Sequence, residues 1–137
     1  MLHEILKAKP ALANQQLVIF SVPFPYLIMS NSVVANEKNV KISAQNCYHK
    51  KSGAYTGEVS AEMLQSIGIP YCIVGHSERR EYFNESNQDL AEKINLLLNA
   101  GIQPIFCCGE ALAVRESGGQ NEWVATQLKE SLFHLTA

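Results

Sequence analysis

The chain has 137 residues, 47% of them hydrophobic, which is enough for one core and short for two. Its 11 basic and 13 acidic residues give a formal net charge of −2 and form no runs, which excludes the electrostatic pattern of a nucleic-acid-binding or membrane-surface protein. The longest apolar stretch, residues 17–29, is interrupted by two prolines and falls short of the roughly 20 residues of a membrane-spanning helix. We expect a single unit over residues 1–137 that binds neither nucleic acid nor membrane.

The predicted elements alternate between helix and strand. A helical pattern precedes residue 17, and four apolar runs then predict strands over 17–22, 40–44, 71–74 and 104–108. Their continuous hydrophobicity is typical of parallel strands that are covered on both faces. Helical patterns follow the strands over 25–37, 60–67, 86–100 and 121–135. The spacing of the strand starts is that of βαβ units, so the fold class is α/β.

Two of the helices show clear signals in their side chains. In the helix predicted over 86–100, one face carries Leu90, Ile94, Leu97 and Leu98. Ser86 and Asp89 predict its N-cap, and Gly101 predicts its end. In the last, the predicted apolar stripe is Val124, Leu128, Leu132 and Leu135.

This pattern is compatible with two architectures. Four parallel strands form either part of a closed β/α barrel or an open, flavodoxin-like domain that binds a ligand or partner and catalyses nothing. The strand order distinguishes them, because an open sheet of this kind reverses its order at a switch point.

His76 is the first candidate for chemistry. It follows the apolar strand 71–74 and Gly75, and both α/β architectures build their sites where strands end. If a short helix begins at Ser77, its free backbone N–H groups point toward the imidazole and favour the neutral ring. On position alone, a surface or structural histidine remains the alternative.

Four motifs together resemble the triosephosphate isomerase family of eight-stranded barrels. In chain order they are AQNCY at 44–48, GAYTGE at 53–58, YCIVGHSERREYFNE at 71–85 and CCGE at 107–110. The resemblance implies a partial (β/α)8 TIM barrel that contains parallel strands two to five with their flanking helices. A complete barrel has about 250 residues, so we expect one incomplete barrel domain that lacks the first strand and strands six to eight.

The resemblance also implies an activity. The family interconverts dihydroxyacetone phosphate and glyceraldehyde 3-phosphate by proton transfer, without cofactor or metal. His76 is then the electrophile, and Ser77 and Glu78 line its pocket. The family's glutamate base and phosphate-binding segments belong to strands six to eight, so we expect these 137 residues to be inactive alone.

The family resemblance further implies a homodimer formed through the loop 47–58. This loop inserts into the second subunit with Thr56 near its tip, while Arg79 meets Glu85 in its own chain and Glu58 of the second subunit. The implied interface residues are Asn46, Tyr55, Thr56, Gly57, Glu58, Arg79 and Glu85.

The remaining candidates receive structural interpretations. Arg79 and Arg80 could bind phosphate, but the surrounding glutamates favour ion pairs. Cys107 and Cys108 are predicted to pack on opposite faces of one strand. Glu110 is predicted to be a solvated acid and His49 an exposed loop residue. The four cysteines contain no C-x-x-C pair and no Cys/His metal motif, which favours a reducing, cytoplasmic compartment and no metal site.

Overall fold

The computed structural model describes residues 2–8 and 12–136. The helices are α1 (Leu2–Ala8), α2 (Leu27–Val33), α3 (Ala61–Ser66), α4 (Ser77–Tyr82), α5 (Asn87–Asn99), α6 (Leu112–Glu116) and α7 (Gln120–Leu132). The strands are β1 (Val18–Val22), β2 (Val40–Ala44), β3 (Tyr71–Val74) and β4 (Gln103–Phe106). A turn of 3₁₀ helix, Phe24–Tyr26, leads into α2.

The four strands form one parallel sheet in the order β1-β2-β3-β4. This sequential order is that of consecutive strands in a β/α barrel, and it contains no reversal. The α/β class and the partial barrel are therefore confirmed, and the flavodoxin-like alternative is wrong.

The core lies between the sheet and its helices. Val40, Ile42 and Ala44 of β2 point to this side with Cys72 and Val74 of β3, and all five are essentially inaccessible to solvent. Helices α2, α3 and α5 cover them through a set of buried residues: Leu27, Ala61, Leu64, Leu90, Ile94 and Leu97.

The predicted ends of α5 are confirmed in atomic detail. Ser86 and Asp89 form a reciprocal capping box, which satisfies backbone donors at the start of the helix. At the other end Gly101 has φ +71°, and Ile102 donates its N–H to the carbonyl of Leu97. This left-handed turn stops α5 and directs the chain into β4. Leu98, predicted on the buried face, is instead 46% exposed.

Some predicted boundaries are wrong. The fourth strand ends at Phe106, so Cys107 and Cys108 lie in the following irregular segment rather than on opposite faces of a strand. The short helix α6 was not predicted, and α7 ends at Leu132 rather than at 135. Helix α7 buries Gln127 and Ser131, whereas the predicted apolar stripe is only half-buried or exposed.

Within the described residues, no helix is long and apolar enough to cross a membrane.

Candidate active site

A cavity of about 440 Å³ lies at the carboxyl ends of the first three strands. Its walls come from the segments that follow β1, β2 and β3, and the lining residues are Pro23, Phe24, Pro25, Gln45, Asn46, Ile73, His76, Glu78, Arg79, Tyr82 and Phe83. His76 therefore lies where parallel α/β folds place their reactive groups.

The His76 ring has a defined orientation at the start of α4. The residue is the N-cap of this helix, and its Nδ1 accepts the backbone N–H of Glu78 at 3.3 Å. An imidazole nitrogen that accepts an N–H carries no hydrogen itself, so the hydrogen of the neutral ring is on Nε2. The side chain is 45% exposed, which leaves Nε2 able to donate to a molecule in the cavity. The short helix predicted from Ser77 is confirmed.

Gly75 allows the sharp turn between β3 and His76. Its φ is +79°, and a Cβ built there would lie 2.9 Å from the carbonyl oxygen of Cys107 and 3.0 Å from Nη2 of Arg80. Only glycine fits both this dihedral angle and this crowding without strain. A glycine at the end of an apolar strand predicts a turn. The crowding by Cys107 and Arg80 could not be predicted, because it depends on the packing of the neighbouring segments.

A buried polar network lies beside the cavity. Lys93, 2% exposed, donates from Nζ to Asn46 Oδ1 at 2.8 Å and to Glu85 Oε1 at 2.6 Å. Arg79 Nε donates to the same Glu85 oxygen at 2.6 Å, which is the ion pair implied within the chain. Glu85 is 8% exposed at its side chain, and its Oε2 has no hydrogen-bond partner. The network links the end of β2 to α4 and α5.

Lys93 is the residue of this network that the sequence analysis missed. It lies on α5 between Leu90 and Leu97, within the apolar stripe that packs on the sheet. A lysine at such a position is unusual, because burying a charge is costly unless it is paired. That break in the stripe was the available signal.

The pocket roles of Ser77 and Glu78 differ in their structural support. Glu78 lines the cavity, with a side chain that is 70% exposed and an Oε2 that lies 3.5 Å from His76 Nδ1. Ser77 is the exposed first residue of α4 and is not part of this cavity's lining. Its pocket role stays a prediction.

The loop 47–58 has internal structure. The Tyr48 ring packs against His49 and Tyr55 with centroids 4.3 and 4.8 Å apart. The backbone N–H of Tyr48 donates to Val59, and Lys50 pairs with Glu92 of α5 at 2.6 Å. Tyr55, Thr56, Gly57 and Glu58 are all exposed. The loop is thus held at its base while its tip faces solvent, and its role in an interface stays a prediction.

Three predictions about single residues are wrong. Glu110 is not solvated, because its side chain is 11% exposed and pairs with Arg115 of α6. His49 is only 24% exposed and lies 4.0 Å from Asp89, since the loop base folds against α5. Cys108 is exposed and does not pack in the core, because the strand has already ended.

Ionisable groups near the site respond to burial and hydrogen bonding. Hydrogen bonds from the Ser86 side chain and backbone lower the pKa of Asp89. Burial lowers the pKa of Arg80 and raises that of Cys107, which keeps this thiol protonated.

Among the described residues, no group of three or more His, Cys, Asp or Glu is arranged to hold a metal ion.

Comparison with known proteins decides the family. The sequence model of the family described as triosephosphate isomerase matches residues 1–137. The chain belongs to the triosephosphate isomerase family. Its relatives include the triosephosphate isomerase of Cytophaga hutchinsonii, 57% identical over 113 residues, which are 82% of this chain and 45% of the relative. That of Amoebophilus asiaticus is 45% identical over 133 residues, which are 97% of this chain and 52% of the relative.

The chain spans about half the length of the triosephosphate isomerases it matches. The catalytic role of His76 stays a prediction. The described residues place this histidine, Glu78 and Asn46 around one cavity at the carboxyl end of the sheet.

Proposed function

We propose that this chain is the His76-containing part of a triosephosphate isomerase, which interconverts dihydroxyacetone phosphate and glyceraldehyde 3-phosphate. The observation that carries this proposal is the orientation of His76. Its Nδ1 accepts the backbone N–H of Glu78, so Nε2 is the nitrogen that donates to a substrate in the adjoining cavity.

In the proposed reaction, a proton moves between the two adjacent carbons that carry the carbonyl and the hydroxyl group. As it leaves carbon, negative charge develops on the carbonyl oxygen. A hydrogen bond from Nε2–H of His76 to that oxygen strengthens as the charge grows, and this lowers the barrier. An imidazole whose hydrogen is on Nε2 can donate this bond directly, without losing a proton to another group first. The family resemblance assigns the carboxylate base and the phosphate-binding groups to segments after the strands described above.

We further propose that the whole protein is a cytoplasmic homodimer joined through the loop 47–58. The exposed tip at Tyr55, Thr56, Gly57 and Glu58, on a base held by α5, favours an inserting loop. Arg79 is half-buried beside this region, which is compatible with a contact to Glu58 of the second subunit. The four cysteines are all free thiols, as is usual in a reducing compartment.

The test uses a chimera in which residues 1–137 are joined to the segments that the Amoebophilus asiaticus relative has outside its match, because that match covers 97% of this chain. A coupled assay measures the conversion of dihydroxyacetone phosphate to glyceraldehyde 3-phosphate. We expect turnover by the chimera, whose loss in His76→Gln identifies this chain's histidine as essential. A folded chimera without turnover would contradict the proposed function.

The polypeptide of residues 1–137 alone is the matched comparison. We expect it to show no turnover above background, because a general base alone contributes about 10²–10⁴-fold and the phosphate-binding groups are also lost. A rate within a few-fold of that of the chimera would show that the assignment of the base to other segments is wrong.

A further inference from the structure

Arg80 makes three hydrogen bonds next to the turn that carries His76. Its Nε donates to the carbonyl of Gly75 at 2.8 Å, its Nη1 to Oδ1 of Asn87 at 2.6 Å and its Nη2 to the carbonyl of Cys107 at 3.3 Å. The guanidinium also lies 5.7 Å from the centre of the Phe106 ring. One side chain thus joins the ends of β3 and β4 to the start of α5.

The bond to Gly75 acts on the peptide group that enters His76. The carbonyl of Gly75 belongs to the same rigid plane as the N–H of His76, so holding this oxygen holds the direction in which the histidine leaves the strand. The turn has little freedom to adjust in another way. Its φ of +79° lies in the left-handed region, and a Cβ on Gly75 would lie only 2.9 Å from the carbonyl oxygen of Cys107.

Within the described residues, the hydrogen bonds of His76 all lie in its own turn. Its Nδ1 accepts from Glu78, and its carbonyl accepts the N–H groups of Arg79 and Arg80 at 3.0 and 3.1 Å. These bonds fix the ring relative to α4 but not α4 relative to the sheet. The Arg80 side chain connects the two, because it begins on α4 and bonds to Gly75 and Cys107, directly after β3 and β4.

A second set of hydrogen bonds holds Asn87 and the segment around Cys107, which accept from Arg80. Asn87, which accepts from Arg80, donates its own amide to Glu130 of α7 at 2.8 Å. Gln127 of the same helix exchanges two hydrogen bonds with Gly109, at 3.0 and 2.9 Å, just after Cys107. The acceptors of the guanidinium are therefore themselves held, which favours a fixed fork over a mobile surface arginine.

We propose that Arg80 is a positioning residue for the isomerisation, which holds the Gly75 carbonyl so that the His76 ring stays aligned on the cavity. This inference rests on the proposed function. Arg80 does not line the cavity, so it acts through the turn and not on the substrate. Lysine is not a substitute, because an ammonium group lacks the planar fork that reaches Gly75, Asn87 and Cys107 together.

The test compares Arg80→Lys and Arg80→Ala in the chimera with a control, Ile94→Val, which removes one buried methylene from α5 without touching the turn. We expect both arginine variants to lower kcat about 10- to 100-fold, since small displacements of a catalytic group cost that much. KM should change by less than about 3-fold, because substrate binding is largely retained. Added guanidinium ion should restore part of the kcat of Arg80→Ala and leave the kcat of Ile94→Val unchanged.

A second readout does not depend on turnover. In the same proteins, ¹⁵N spectra of labelled histidine report which nitrogen of His76 carries the hydrogen, with His76→Gln identifying the signal. We expect the Nε2–H form in the parent and in Ile94→Val. In the arginine variants we expect a mixture of tautomers, because a Gly75–His76 peptide that Arg80 no longer holds lets the 3.3 Å bond from the Glu78 N–H to Nδ1 break. An active parent whose Arg80 variants keep both kcat and this tautomer would overturn the proposal. An inactive parent that shows the expected tautomer change would contradict the proposed function and leave the positioning role supported.

Discussion

At the scale of single residues, the site depends on two neighbours with different requirements. Gly75 supplies a backbone shape that other residues adopt only with strain, and His76 supplies a ring whose Nε2 can donate into the cavity. The strand-end position makes both residues candidates, but only the family resemblance favours a functional His76 over a surface or structural histidine. The sequence does not identify Arg80 as their support, since that role depends on a carbonyl of Cys107, 27 residues further along the chain.

We predict that Gly75→Ala destabilises the chimera more than Gly118→Ala does. Both glycines have φ +79°, so both substitutions introduce the strain of a left-handed alanine, about 1–2 kcal/mol. At Gly75 the new Cβ also meets Cys107 and Arg80, whereas at Gly118 no atom lies within 4 Å. Urea denaturation measures the difference between the two variants. Equal losses would show that the turn relaxes and that its crowding is unimportant.

At the scale of elements, helix α5 is the one that organises the site. Its apolar face packs on β3 and β4, and Lys93 on the same face holds Asn46 and Glu85. The existence and caps of this helix follow from local sequence, which is why they could be predicted. The partners of Lys93 could not be, because they lie 47 and 8 residues away and meet only when the sheet forms. The same reason explains why the buried face of α7 was wrongly predicted, since Gln127 is buried by its bonds to Gly109.

Removing Lys93 should test this network. In Lys93→Met the Glu85 carboxylate stays buried with Arg79 as its remaining cation, and its Oε2 already lacks a partner. We expect a loss of about 1.5–3 kcal/mol in the free energy of unfolding, because Glu85 keeps Arg79 but loses a hydrogen bond from a charged donor. The matched control is Lys50→Met, which breaks the exposed pair with Glu92 and should have no measurable effect. Similar unfolding midpoints for the two variants would contradict the structural importance of the buried network.

At the scale of the whole molecule, the described residues form a sheet with two strands that each have one neighbour, β1 and β4. On the face opposite the helices, Ile73 and Ile105 lie side by side in the pairing of β3 with β4 and are only half-buried. The family resemblance assigns this face to the interior of a barrel. Periodicity predicted the α/β class, the family resemblance predicted the barrel, and the strand order confirms it.

We predict that a polypeptide of residues 1–137 alone self-associates heterogeneously. Unpaired strand edges and a half-buried apolar face both favour association with other copies. Light scattering on fractions from size-exclusion chromatography should show several species whose masses depend on concentration. A single sharp species at the monomer mass, with cooperative unfolding, would mean that the four-stranded unit is self-sufficient.

The catalytic role of His76 can be measured directly by steady-state kinetics of the chimera and its His76→Gln variant. Because the hydrogen bond from Nε2 should strengthen as charge develops on the substrate oxygen, its loss removes mainly transition-state binding. We expect kcat to fall about 10²–10³-fold, as for the loss of one donor to a developing oxyanion, with a much smaller change in KM. A rise in KM with kcat unchanged would contradict the electrophile assignment and make His76 a residue that only binds substrate.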